Sequence, residues 1–142
     1  MSIDLATAQS IIATALETGQ EQDFKPLTVV VLDAGGHVTA AARQDGASNA
    51  RFEIAHGKAY GALALGMGSR ALMERAEQQA YFVAAATAAL GGRLIPVPGG
   101  VLVRDEDGTI KGAVGISGDS SDNDETAAET AIKAAGLTAQ VA

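Results

Sequence analysis

The sequence predicts an α+β domain in which an antiparallel sheet is covered by helices. Three observations carry this reading. First, two pairs of apolar runs, Leu27–Leu32 with Val38–Arg43 and Gly99–Arg104 with Thr109–Ser117, are each joined by a tight turn containing glycine. Such turns connect adjacent strands running in opposite directions. Second, segments with helical spacing of apolar residues stand before, between and after these pairs. Third, apolar residues make up 47% of the chain but aromatics only 4%. The core must therefore be built from small and branched side chains on closely approaching backbones.

Each element has a local reason. Asp4 is placed to cap a first helix whose apolar positions are Leu5, Ala8, Ile12, Ala15 and Leu16, with Gly19 near its end. Pro26 precedes the first strand, and Asp33-Ala-Gly-Gly makes the hairpin turn. Ser48 or Asn49 is expected to cap a central helix running to about Leu65. Gly66-Met-Gly-Ser breaks it, and Ser69 is expected to cap another helix to about Ala80. Tyr81–Leu90 fits either a helix or a loop. Asp105-Glu-Asp-Gly turns the second hairpin, and a last helix is expected from near Asp122 to near Gly136. Asp122 and Glu125 have capping-box spacing. At 142 residues with no internal linker or repeat, residues 1–142 read as one domain.

Charge and composition exclude several functions. The formal net charge is -7, and the Lys and Arg residues form no basic run, which argues against a nucleic-acid partner. There is no cysteine, so disulfides, thiolate nucleophiles and thiolate metal sites are absent. The N-terminal residues carry no signal-peptide pattern as they stand, although a signal removed from a longer precursor would leave no trace here, and no apolar stretch reaches membrane-spanning length. The expectation is a soluble, cytoplasmic protein without a membrane partner. A core so poor in aromatics gains from further burial between subunits, so a homo-oligomer is expected.

No complete catalytic signature is present: neither a phosphate-binding glycine loop, nor a His-Glu-x-x-His pair, nor a serine elbow occurs. The central helix is the best site candidate. Phe52, His56 and Leu63 fall near one face, and Arg51, Ala55 and Lys58 on another stripe. A cation beside an imidazole can hold a carboxylate and shift the histidine's titration. The plainer alternative makes Phe52 and Leu63 core residues and Arg51 and Lys58 solvated ones. Gly57 and Gly61 point to a close helix contact. His56 and His37 are the two residues able to ligate iron as neutral imidazoles, although a turn histidine such as His37 is more often simply exposed. Asp122, Asp124 and Glu125 could hold a metal, with helix capping the commoner role. Gly99 and Gly100 let a ligand or a neighbouring subunit approach the backbone closely.

The blocks Val31-Leu-Asp-Ala-Gly-Gly-His-Val, Arg43 followed by Asp45-Gly-Ala, Ile54-Ala-His-Gly-Lys-Ala, Pro98-Gly-Gly-Val, Gly112-Ala-Val-Gly-Ile-Ser-Gly and Asp124-Glu span nearly the whole chain. Together and in this order they resemble the GlcG/HbpS family of haem-binding or haem-degrading proteins, which also matches the C-terminal domain of PduO-type adenosyltransferases. The resemblance implies a profilin-like domain assembling into a tetramer or octamer. It implies haem, or a similar planar anionic molecule, as ligand. Arg51, Phe52, Gly99, Gly100 and Glu125 are then the expected ligand-binding residues.

Two alternatives stand beside it. One is a lyase or isomerase without a nucleotide cofactor, acting on a small aromatic acid, such as a hydroxylamino-aromatic one, or on a hydroxy acid. Lys58, Arg43 and Asp124 would supply charge and proton transfer there, with His56 as an alternative base. The other is an accessory structural subunit. The block containing Lys58 marks that residue as a site candidate. With its ammonium facing a cleft, replacing it by methionine is expected to remove ligand binding or turnover with little loss of stability.

Overall fold

The computed structural model describes residues 2–142. The elements run α1 (Leu5–Glu21), β1 (Thr28–Asp33), β2 (Val38–Arg43), α2 (Arg51–Leu65), α3 (Ser69–Gln78), α4 (Ala80–Ala89), β3 (Gly100–Arg104), β4 (Ile110–Ser117), α5 (Ser121–Ala134) and β5 (Thr138–Gln140). The strands form one sheet in the order β2-β1-β4-β3-β5, with every neighbouring pair antiparallel. The architecture is therefore α+β, with helices on both faces of an antiparallel sheet, as the hairpin turns predict.

Both faces are apolar because both are covered. On one, α2 lays Ala55, Ala59 and Ala62 on Val30, Leu32, Leu102 and Ala113. On the other, Ile11 and Ala15 of α1 and Ala127 and Ala131 of α5 pack over Val29, Val31, Val101 and Val114. A smaller cluster of Leu72, Val83 and Leu94 ties α3 and α4 to the loop before β3. Alanines and glycines bring α2 very close to the strands. A Cβ on Gly115 would lie 2.0 Å from the Ala55 carbonyl oxygen, and one on Gly100 2.2 Å from that of Lys58. Side chains on this stripe of α2 therefore reach the sheet backbone directly, which sets the position of Lys58.

The structure corrects several local expectations. The N-cap of α2 is Ala50, whose backbone is already helical (φ -71, ψ -10), and no side chain caps it. Ser48 contributes its carbonyl, which accepts from the Arg51 amide at 3.2 Å. Ser69 lies inside α3 behind the N-cap Gly68. Its hydroxyl is taken across the molecule, where it accepts from the Gly100 amide at 2.7 Å. Ser120 caps α5 by accepting from the Asn123 amide at 3.2 Å. Asp122 and Glu125 form no capping box, because both lie inside α5 behind the N-cap Ser120, and Arg70 engages their carboxylates.

The ambiguous alanine-rich segment is the helix α4. The strand β5 was not expected, since three residues are too few to show alternation. Gly57 and Gly61 do permit a close approach, but to a loop: their missing Cβ atoms make room for Ile95 and Leu94. Phe52 is 37% exposed and so is not a core residue.

Candidate functional site

Two stripes of α2 carry almost all the chemistry. The inner stripe faces the sheet and α5. Lys58 is 2% exposed; its Nζ donates to the Ile116 carbonyl at 2.9 Å and to Asp124 Oδ2 at 3.0 Å. Asp124 is 1% exposed, and its other oxygen accepts from the Asp119 amide at 2.9 Å. Burial pushes the Lys58 pKa down and that of Asp124 up, and the attraction of each for the other opposes this. The pair therefore fastens α2 to β4 and α5. The expected ammonium facing a cleft is not found in the described chain.

Gly99 and Gly100 flank this pair. A Cβ on Gly99 would stand 2.9 Å from Lys58 Nζ, so both glycines make room for the lysine stem and the α2 backbone. Two helical turns earlier, Arg51 Nη1 donates to Ser117 Oγ at 3.2 Å. Arg43 stands at the end of the edge strand β2, and its Nη1 donates to the Ala47 carbonyl at 2.8 Å. Glu125 accepts from Arg70 Nε at 3.0 Å; the hydrogen bonds that Arg70 donates to Glu125 and then to Asp122 raise its pKa. Asp122, Asp124 and Glu125 are thus committed to cations. Among the described residues, no group of three or more His, Asp or Glu side chains is placed to hold a metal ion.

The outer stripe is aromatic. Phe52, His56 and Tyr60 stack along α2 with ring centroids 5.8 and 5.7 Å apart and interplanar angles of 21° and 26°. The Arg93 guanidinium, from the loop after α4, lies 4.2 Å over the Tyr60 ring. Burial and the Arg93 charge hold the His56 pKa below its ordinary value of 6.5. The β1–β2 turn meets the same stripe. Gly36 (φ +85) packs on Tyr60, and a shallow cleft of about 150 Å³ runs between Ala34, Gly35, Gly36, Tyr60, Leu63 and Ala64. His37 leaves this turn 83% exposed, 3.5 Å from Asp33. The structure therefore brings Phe52, His56 and the turn of His37 to one side of the molecule. Lys58, Asp124, Gly99, Gly100 and Arg51 gather around the inner stripe.

Tyr60 and Arg93 were missed by the sequence reading. Tyr60 continues the four-residue spacing of Phe52 and His56, a signal present in the sequence. Arg93 gives no local signal, because its partner lies in a distant element.

The His56 titration has a consequence for stability. An imidazole that protonates less readily in the fold than in the unfolded chain makes the unfolded state bind more protons just below the ordinary pKa. Stability is then lost as pH falls through that value. Thermal melts from about pH 7 to about pH 5 should show this loss in wild type and less of it in His56→Phe. Parallel profiles in the two proteins would show that His56 is not held neutral.

The chain belongs to the family described as "Haem degrading protein HbpS-like", which matches residues 3–133. Its fold is similar to that of the PduOC:Heme complex, at a TM-score of 0.85 and 27% identity, covering 96% of this chain and 97% of that one. It is also similar to the Klebsiella pneumoniae protein ORFY, at a TM-score of 0.84 and 25% identity, covering 94% and 90%. HbpS superposes at a TM-score of 0.80 with 23% identity over 94% of this chain and 90% of that one, a likeness of fold alone. No curated protein matches the sequence. No described helix is long and apolar enough to cross a membrane.

Proposed function

We propose that this chain binds haem, or a planar anionic molecule of the same kind, on the outer stripe of α2, with His56 as the iron ligand. The carrying observation is the stack of Phe52, His56 and Tyr60 beside Arg93. An iron ligand must be a neutral imidazole, and burial together with Arg93 favours that form of His56. Phe52 and Tyr60 offer apolar ring surface to a macrocycle. Arg93 offers a guanidinium to a propionate. The donor set therefore fits haem in kind. When bound, haem would supply a redox-active iron; the protein supplies the ligand, the apolar contact and the countercharge. Family membership and the likeness to the PduOC:Heme complex support the same reading.

The shallow cleft beside Tyr60, at about 150 Å³, is too small to enclose a macrocycle, since pockets that engulf drug-sized ligands span roughly 300–1,000 Å³. A ligand on this face would be covered on its other side by a second copy of the chain. The exposed surface is consistent with self-association. On α4, Tyr81 is 73% exposed, and Ala84, Ala85, Ala88 and Ala89 also face outward. A tetramer or octamer is proposed from the family resemblance. Sedimentation velocity at micromolar concentration is expected to show an oligomer; a monomer alone would remove the second wall of the site.

In this reading Lys58 and Asp124 are positioning residues. They hold α2 in register with β4 and so fix where His56 stands.

A further inference from the structure

The helix α4 is apolar all round, yet its own chain covers it on one side. From Ala80 to Leu90 there is no charged residue. The Thr87 hydroxyl donates to the Val83 carbonyl at 2.7 Å, so it is spent on the helix itself. Of the described residues in this helix, Val83 alone is buried, and Phe82, Ala86 and Leu90 pack with it on Leu72 and Leu94. The opposite side carries Tyr81, 73% exposed, with exposed Ala84, Ala85 and Ala88 at helical spacing. A helix without a polar side belongs in an interior, so the outer side calls for a partner. We propose that this partner is the α4 of a second copy, packed antiparallel across a two-fold axis near Ala84 and Ala85. The pairing stands on α4 alone and does not rest on the haem reading, although it supplies the second copy that reading calls for.

Charge selects the occupant. Two copies of a chain of net charge -7 repel wherever their acidic surfaces meet. The outer side of α4 is neutral, so two copies meet there without that cost. Its ends carry opposite charges: exposed Glu77 stands just before the helix and exposed Arg93 just after it. Antiparallel pairing brings the acid of each copy towards the base of the other, whereas parallel pairing sets like charges together. A lipid surface fits less well, since interfacial helices carry Lys or Arg along a polar side and α4 has neither.

Shape agrees with the same occupant. Alanines let two helix axes approach to about 8 Å. In an antiparallel pair, Tyr81 faces Ala88 of the partner subunit. A helical side chain leans towards its own N-terminus, so the Tyr81 ring reaches on towards the partner's Gly91 and the partner's Gly92. Open space lies there, because a Cβ on Gly91 or Gly92 would meet nothing within 4 Å. Arg93 follows directly, so the partner subunit's Tyr81 comes beside the Arg93–Tyr60 pair. A pair of ten-residue helices buries well under the ~800 Å² per partner of a standard interface, so the expected Kd is micromolar.

Sedimentation velocity of the full chain without haem, from low to high micromolar concentration, tests the pairing. Wild type should self-associate. Ala85→Arg sets two guanidiniums against each other at the axis and should weaken self-association by about tenfold or more, with Tm unchanged. Arginine is nearly as good a helix former as alanine, so this exposed substitution leaves α4 intact. The chain has no cysteine, so single-cysteine variants report the orientation directly. Ala85→Cys should cross-link two copies under mild oxidation, and Tyr81→Cys, away from the axis, should do so far less. If Ala85→Arg does not fold, the two cysteine variants decide. A monomeric wild type, self-association unchanged in Ala85→Arg, or equal cross-linking by Tyr81→Cys and Ala85→Cys would overturn the proposal. Binding of wild type to phosphatidylcholine vesicles in place of self-association would assign the face to lipid and overturn it equally. Self-association through another surface would remove this pairing and leave the haem reading standing, so the two failures are distinguishable.

Discussion

Lys58→Met is expected to destabilise the fold by about 3–5 kcal/mol, the range for breaking a buried ion pair from one side. The substitution leaves Asp124, 1% exposed, without its cation, and the Ile116 carbonyl without its donor. Methionine retains much of the apolar stem, so lost packing is the smaller share. The signature is the double variant. Adding Asp124→Asn removes the stranded charge while keeping an oxygen for the Asp119 amide. Lys58→Met/Asp124→Asn should therefore be more stable than Lys58→Met alone, recovering a large part of the loss. Urea denaturation of the three proteins measures this. A solvated lysine would give a loss under about 1 kcal/mol and no recovery in the double variant.

This outcome reverses the expectation drawn from the sequence alone, and the reason is geometric. The spacing on α2 shows that Arg51 and Lys58 share a stripe, but not which way that stripe faces. The orientation is set by Gly100 and Gly115, which let α2 lie so close to the strands that the lysine reaches the Ile116 carbonyl. The glycine pairs are visible in the sequence. The helix they accommodate is far away along the chain, so the fit between them is not.

Other elements were legible because their signals are local. Asp4 caps α1 by accepting from the Thr7 amide at 2.8 Å, and β2 runs from Val38 to Arg43 as its pattern predicts. Capping of α3 and α5 was misread where a serine or carboxylate had a stronger partner elsewhere. Ser69 serves Gly100, and Asp122 and Glu125 serve Arg70. The site shows the same division. In the proposed site, spacing within one helix places His56 and Phe52 on the same face. Arg93 emerges only when the loop after α4 meets α2.

Haem titration of wild type, His56→Ala and His37→Ala, read from the Soret band, tests the central claim most directly. His56 stands between two aromatic rings in a half-buried position that favours its neutral form, whereas His37 is 83% exposed on a turn. One imidazole on an open face should hold haem weakly, with the countercharge of Arg93 adding to the contact. Wild type and His37→Ala are expected to develop the same shifted Soret band with similar titration curves. His56→Ala should fold normally, since little packing is lost from a half-buried surface ring, and should give the spectrum of unligated haem. An unchanged Soret band in His56→Ala would contradict the assignment of His56 as the iron ligand.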